Sequence, residues 1–231
     1  MATVLITGAN RGLGLEFTRQ YAADGWDVIA CCRQPSLASD LDRLAGQYNT
    51  IQVEALDVAD FAQIDALSRK LSDICIDVLI NNAGVYGDSR ASGFGQLDYQ
   101  VWSKTLLVNT QAPVKMAEAF LNQIKCSEKK LIVNISSLMG SMADNDSGGS
   151  ILYRSSKAAL NAAMKSLAID LKNNSIGILT LHPGWVKTDM GGPNALIDAH
   201  ESISGMRTLI DNFSLEQSGS FVKYDGTALP W

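Results

Sequence analysis

Val4-Leu5-Ile6-Thr7-Gly8-Ala9-Asn10-Arg11-Gly12-Leu13-Gly14 is the stretch on which the fold turns. A short apolar run of strand character over 4–7 meets a glycine cluster, and helical periodicity follows over 13–23. A strand that bends directly into a helix puts unpaired backbone N–H groups and the positive end of the helix dipole beside the turn. That arrangement attracts phosphate, and glycine allows both the tight bend and the close approach of an anion to the backbone. The spacing is Gly-x-x-x-Gly-x-Gly, not Gly-x-Gly-x-x-Gly, but the physics of a dinucleotide turn is the same.

Outward from this turn, strand-like runs over 28–32, 50–55, 77–81, 131–135, 176–181 and 220–222 alternate with helical patterns over 37–45, 61–71, 99–125, 153–172 and 196–212. Runs such as Asp77-Val78-Leu79-Ile80-Asn81 and Leu131-Ile132-Val133-Asn134-Ile135-Ser136 are apolar without alternation, as strands covered on both faces are. Repeated strand–helix units joined by right-handed crossovers predict an α/β fold. The expectation is a single-domain, Rossmann-type doubly wound parallel sheet over 1–231, with helices on both faces. The Gly/Ser-rich piece 144–150 reads as a surface loop inside that domain.

The chain has 231 residues, 46% of them hydrophobic and 19% charged, with a net charge of −5. This composition excludes a disordered chain, a coiled coil and a collagen-like repeat. The acidic balance and the lack of a Lys/Arg run argue against nucleic acid or an anionic membrane as partner. No apolar stretch approaches the roughly 20 residues of a membrane span, and Met1-Ala2-Thr3 does not open a signal peptide. A soluble, cytoplasmic protein is expected. Cys31, Cys32, Cys75 and Cys126 are scattered, which fits an intracellular setting; Cys31 and Cys32 read as buried small hydrophobes. With only His182 and His200, no metal site is expected.

Two further patterns carry chemistry. The 28–32 strand ends in Arg33-Gln34 where a carboxylate would hydrogen-bond a free ribose 2′-hydroxyl, and Arg11 lies in the glycine turn. Two guanidiniums suit a 2′-phosphate, which favours NADP. Tyr153 and Lys157 share one face of a helix at i,i+4 spacing. A neighbouring ammonium would draw the phenol's pKa down from about 10 and suit it to proton transfer.

Taken in order, these motifs resemble the short-chain dehydrogenase/reductase family over residues 3 to about 190. Thr7–Gly14 matches its glycine motif, Asn81–Gly84 its Asn-Asn-Ala-Gly, Asn109 and Ser137 its Asn and Ser, Tyr153 and Lys157 its Tyr-x-x-x-Lys, and Pro183-Gly184 its Pro-Gly. The segment 182–190 and the tail 224–231 look like the C-factor and sniffer-type carbonyl reductase branch.

The resemblance implies NADPH-dependent reduction of a small carbonyl substrate, with Asn109, Ser137, Tyr153 and Lys157 catalytic. Tyr153 would be the general acid. Lys157 would lower its pKa and hold the nicotinamide ribose, Ser137 would bond the substrate oxygen, and Asn109 would position a water leading from Lys157. The cofactor would be held by Gly8, Asn10, Arg11, Gly12, Leu13, Gly14 and Arg33, by Asp57 and Val58 at the adenine, by Asn81, Ala83 and Gly84 near the adenosine ribose, and by Pro183, Gly184, Val186 and Thr188, with Tyr153 and Lys157. A homodimer through the helices at 99–125 and 153–172 follows by the same analogy. Ser136 rivals Ser137, and Trp185 either lines the nicotinamide side or plugs the core. Sixteen positions separate Ser137 from Tyr153, a few more than the family's usual spacing, and the excess falls in Asp144–Ser150. A non-catalytic NADP(H)-binding sensor is the alternative. A nucleotide-sugar epimerase is disfavoured because only about 40 residues follow Met190.

Overall fold

Strand alternation sends Leu5, Ile29, Leu79, Ile132 and Ile178 into one buried cluster, and Val4, Ile6, Val28, Val78, Ile80, Val133 and Leu181 into another. These clusters lie on opposite faces of one sheet. In the computed structural model, which describes residues 2–89 and 93–231, the strands are β1 Thr3–Thr7, β2 Asp27–Cys32, β3 Ile51–Ala55, β4 Val78–Asn81, β5 Leu131–Ile135, β6 Gly177–His182 and β7 Ser220–Lys223. They pair in the order β3-β2-β1-β4-β5-β6-β7, every neighbour parallel.

The helices are α1 Gly12–Ala23, α2 Ser39–Gln47, α3 Phe61–Lys70, α4 Tyr99–Leu106, α5 Ala112–Ala119, α6 Leu121–Lys125, α7 Ile151–Asp170 and α8 Ala199–Asp211. Helices α1, α2 and α8 cover one face through Phe17, Leu41, Ile203 and Met206. Helices α3, α5 and α7 cover the other through Ile64, Met116, Leu160 and Met164. The architecture is a single-domain, doubly wound Rossmann-like fold.

Three features depart from the sequence expectation. The helix anticipated over 37–45 is a 3₁₀ turn at Pro35–Leu37 followed by α2. The long helix anticipated over 99–125 is divided by a π-turn at Leu107–Gln111 and a break at Phe120. Pro113 supplies the cause of the first division, because it has no N–H for the Asn109 carbonyl and its ring crowds that group. Finally, Cys75 and Cys126 form a disulfide, with Cα atoms 5.4 Å apart, a pairing that the expectation of an intracellular setting from cysteine usage does not include. Cys31 and Cys32 are free and buried.

Candidate active site

The sheet order reverses between β1 and β4, so the chain leaves their carboxyl ends in opposite directions and opens a crevice. Gly8 and Gly12 adopt φ of +67° and +53° in the turn from β1 to α1. A Cβ on Gly14 would strike the Gly8 carbonyl, so the turn closes only with glycine there. Helix α1 has no acidic residue in its first turn, and its N-cap Arg11 makes no side-chain bond to it. The first N–H groups of α1 therefore remain for an anion, with Asn10 and Leu13 half-buried beside them. This cradle fits a dinucleotide pyrophosphate.

Asn82, which the sequence reading passed over, ties this turn to β4. Its side-chain amide donates to the carbonyls of Thr7 and Gly8 at 2.9 and 3.2 Å, and Thr7 Oγ1 accepts from the N–H groups of Asn82 and Ala83. The neighbouring Asn81 had been expected beside the adenosine ribose. Its side chain is instead buried in the domain, donating to Asn134 Oδ1 at 2.9 Å and to the Pro113 carbonyl. Ala83 and Gly84 stay at the crevice, partly buried.

After β3, Asp57 caps its own turn, Oδ1 accepting from the Ala59 N–H at 3.0 Å, and Val58 is buried. Arg33 stands exposed after β2. Arg11 reaches across the crevice to Asp189, Nη1 to Oδ2 at 2.7 Å, with both side chains exposed. A surface pair of this kind is worth at most about 1 kcal/mol, so a phosphate competes with it readily.

Pro183, Gly184 and Val186 follow β6; Val186 is buried and bridges to Ile197. Thr188 faces Gly12 across the crevice: a Cβ there would sit 3.5 Å from Thr188 Cγ2. Trp185 does not plug the core. It is 51% exposed, and its indole N–H donates to the Gly191 carbonyl at 2.7 Å. Tyr86, Met142 and Met190 are likewise exposed.

Ser137, Tyr153 and Lys157 lie where β5 and α7 meet. The end of β5 separates the two serines. Ser136 Oγ donates to Asn161 Oδ1 at 2.6 Å inside the fold, whereas the Ser137 side chain acts on the Tyr153 phenol and favours its ionised form. Ser137 Oγ also accepts from the Met139 N–H at 3.1 Å. Lys157 is buried, its Nζ donating to the Ile135 carbonyl at 2.8 Å and lying 5.8 Å from the Tyr153 ring centroid. Burial pulls the Lys157 ammonium down to about 8.

The expectation that Lys157 lowers the phenol is reversed in this geometry. Burial pushes Tyr153 up to about 12, the Ser137 hydrogen bond opposing it and nearby Tyr86 adding to it. The ammonium is committed to a carbonyl and does not offset the desolvation. Asn109 sits fully buried in the π-turn. Its amide grips Val85 N and O at 2.9 and 2.8 Å and Ser156 Oγ at 2.9 Å, so it welds the β4 loop to α7. Gly84 brings Asn109 and Lys157 into one corner, since a Cβ there would lie 3.3 Å from Asn109 Oδ1 and 3.7 Å from Lys157 Nζ.

Among the described residues, no group of three or more His, Cys, Asp or Glu side chains is placed to hold a metal. No helix among them is long and apolar enough to cross a membrane.

The family model described as short chain dehydrogenase matches residues 2–196. Over 156 residues the chain is 43% identical to C-signal of Myxococcus xanthus, covering 68% of this chain and 93% of that protein. Its structure superposes on the carbonyl reductase Sniffer of D. melanogaster with a TM-score of 0.92 at 36% identity, covering all of both chains. The NADPH-bound carbonyl reductase from chicken fatty liver gives a TM-score of 0.91 at 34% identity, covering 100% of this chain and 99% of that one.

Proposed function

The chain belongs to the short-chain dehydrogenase family, and on that premise we propose that it is an NADPH-dependent carbonyl reductase in which Tyr153 is the proton donor. The observation that carries this reading is the buried group of Ser137, Tyr153 and Lys157 at the crevice, opposite a glycine cradle shaped for pyrophosphate. The NADPH-bound relative supports NADP(H) as the cofactor.

NADPH, when bound, would supply the hydride for the carbonyl carbon. The work of the chain is to hold, orient and protonate. Tyr153, kept protonated by burial, donates its proton to the substrate oxygen. Ser137 bonds the same oxygen, and a hydroxyl that donates and accepts suits a group passing from carbonyl to alcohol. Lys157 has two tasks: turned from the Ile135 carbonyl, its cation stabilises the phenolate as it forms, and it holds a ribose hydroxyl. Asn109 keeps the corner around Lys157 rigid through Val85 and Ser156.

Gly8, Asn10, Gly12, Leu13 and Gly14 hold the pyrophosphate. Arg33, with Arg11 released from Asp189, holds the 2′-phosphate. Asp57 and Val58 contact the adenine, Ala83 and Gly84 the ribose, with Asn81 contributing backbone only. Pro183, Gly184, Val186 and Thr188 flank the carboxamide. We place the protein in the cytoplasm as a homodimer joined through α4, α5 and α7, where Tyr99 and Ile169 expose large apolar surface.

Tyr153→Phe is expected to lower carbonyl reduction by about 10²–10⁴-fold, leaving NADPH affinity within about twofold. Arg33→Asp should cost about 10–100-fold in NADPH affinity and shift preference toward NADH. Fluorescence titration of both cofactors and a carbonyl panel followed by NADPH absorbance measure these effects. Tyr153→Phe protein with most of its turnover rejects the reading. The non-catalytic sensor reading instead requires tight NADPH binding by the unaltered protein with no turnover on any carbonyl.

A further inference from the structure

Helix α7 carries Tyr153 and Lys157, yet the residue at its N-terminus does not cap it. Ser150 lies in the left-handed region at φ +45°, ψ +46°, and its side chain makes no bond to the helix. Its Oγ is instead 2.8 Å from Tyr86 OH. The acceptor for the first turn arrives from the loop after β4. Asp88 Oδ2 accepts from the Tyr153 N–H at 2.8 Å, and Oδ1 from the Leu152 N–H at 3.3 Å. The Tyr86 ring packs on the Tyr153 ring at 4.9 Å and 34°. Gly87 joins them at φ +79°, where a Cβ would collide with Thr105 Oγ1 of α4. Two side chains on either side of one glycine therefore grip the backbone, the ring and the entry turn of the proposed proton donor.

We propose that Tyr86-Gly87-Asp88 is a strap that fixes Tyr153, with Asp88 as the positioning residue that anchors its backbone and Tyr86 as the aromatic wall that sets its ring angle and the adjacent substrate contact. This rests on the reading of Tyr153 as the proton donor. A carboxylate accepting two N–H groups at a helix N-terminus is favoured by the dipole as well as by the bonds, so it resists sliding of α7 along its axis. The phenol must reach the same oxygen as Ser137, which sits in the turn after β5 and not on α7. A small shift of the first turn of α7 separates those two hydroxyls while leaving the glycine cradle, on the other side of the crevice, undisturbed. Tyr86 is 37% exposed, so its outer face meets whatever approaches the phenol. The substrate class this favours is a carbonyl carrying a flat apolar or aromatic group.

The test compares Asp88→Ala, Asp88→Asn and Tyr86→Leu with the unaltered protein and with Tyr153→Phe, using benzaldehyde-type and short aliphatic aldehydes. Asp88→Ala is expected to lower kcat by about 10–100-fold with NADPH affinity unchanged, the scale of loss that misplacement near the reacting centre produces. Asp88→Asn, which retains one acceptor for the Tyr153 N–H, should recover most of that loss. Tyr86→Leu should raise KM for aromatic aldehydes more than for aliphatic ones. If Asp88→Ala keeps kcat within about threefold while Tyr153→Phe abolishes turnover, the strap is overturned and the proton donor stands. Loss of kcat in Asp88→Ala accompanied by an equal loss of NADPH affinity, or with no recovery in Asp88→Asn, marks a merely structural cap and also overturns it. Should Asp88→Ala fail to fold, Tyr86→Leu decides: equal KM shifts for both aldehydes reject the proposal.

Discussion

Lys157 and Tyr153 are buried together, and burial acts on them in opposite directions, lowering the cation to about 8 and raising the phenol to about 12. The phenol thus keeps its proton across the working range, while the charge that stabilises its anion is lost first. Carbonyl reduction should accordingly be level below pH 8 and decline as pH rises through about 8, and Lys157→Met should be slower and lack that limb. A pH–rate profile with saturating NADPH reads this directly. The folding linkage has the opposite sign. The native Lys157 binds its proton less tightly than the unfolded one, so the unfolded chain holds more protons between about 8 and 10.5, and this group's contribution to stability rises across that window. A rate that falls there is therefore not loss of fold caused by Lys157. At this scale the sequence was legible where chemistry demands a residue type at fixed local spacing, as with Tyr153 and Lys157. It was not legible for Asp88, whose partner lies 65 residues away, or for Asn82 against Asn81, where only the turn after β4 decides which amide faces Thr7.

Helices and strands show a similar division. Every anticipated strand is present, because runs such as Leu131–Ile135 are too apolar for anything but a doubly covered position. The helix anticipated over 99–125 was misjudged, since apolar periodicity continues through a π-turn that the hydrogen-bond ladder does not. Pro113 was the available sign, four positions beyond Asn109. The turn has a consequence for the site, because it delivers the Asn109 amide to Val85 and Ser156 at once. Pro113→Ala restores an N–H able to bond the Asn109 carbonyl and should let the helix run through, rotating that amide off at least one partner. We expect a loss of about tenfold in kcat with little change in NADPH affinity. Accelerated hydrogen exchange at Val85 would accompany it and locate the effect in the β4 loop.

At the scale of the molecule, the two ends of the parallel sheet have separate tasks. The carboxyl ends carry the glycine turn, the β4 loop and the Ser137 turn; the amino ends carry the Cys75–Cys126 bridge, with Cys75 just before β4 and Cys126 on the approach to β5. The bridge spans 51 positions and left no local pattern, since cysteine pairing follows from which strands become neighbours and not from spacing. The fold already holds its partners together: Ile76 N donates to the Gln123 carbonyl at 2.8 Å, and β4 pairs with β5. Closing a loop of this length restricts the unfolded chain by about 4 kcal/mol in the chain-entropy account. For a chain of this size that corresponds to a Tm lower by roughly 10 °C once the bond is opened. Both cysteines are exposed, so a dithiol reductant reaches them without unfolding the protein. The expected outcome is a lower Tm in reductant, the same lower Tm for Cys75→Ser in either condition, and kcat unchanged throughout, because β4 and β5 stand between the bridge and the site. A kcat that falls on reduction at a temperature well below the new Tm would mean that the two ends of the sheet are mechanically coupled.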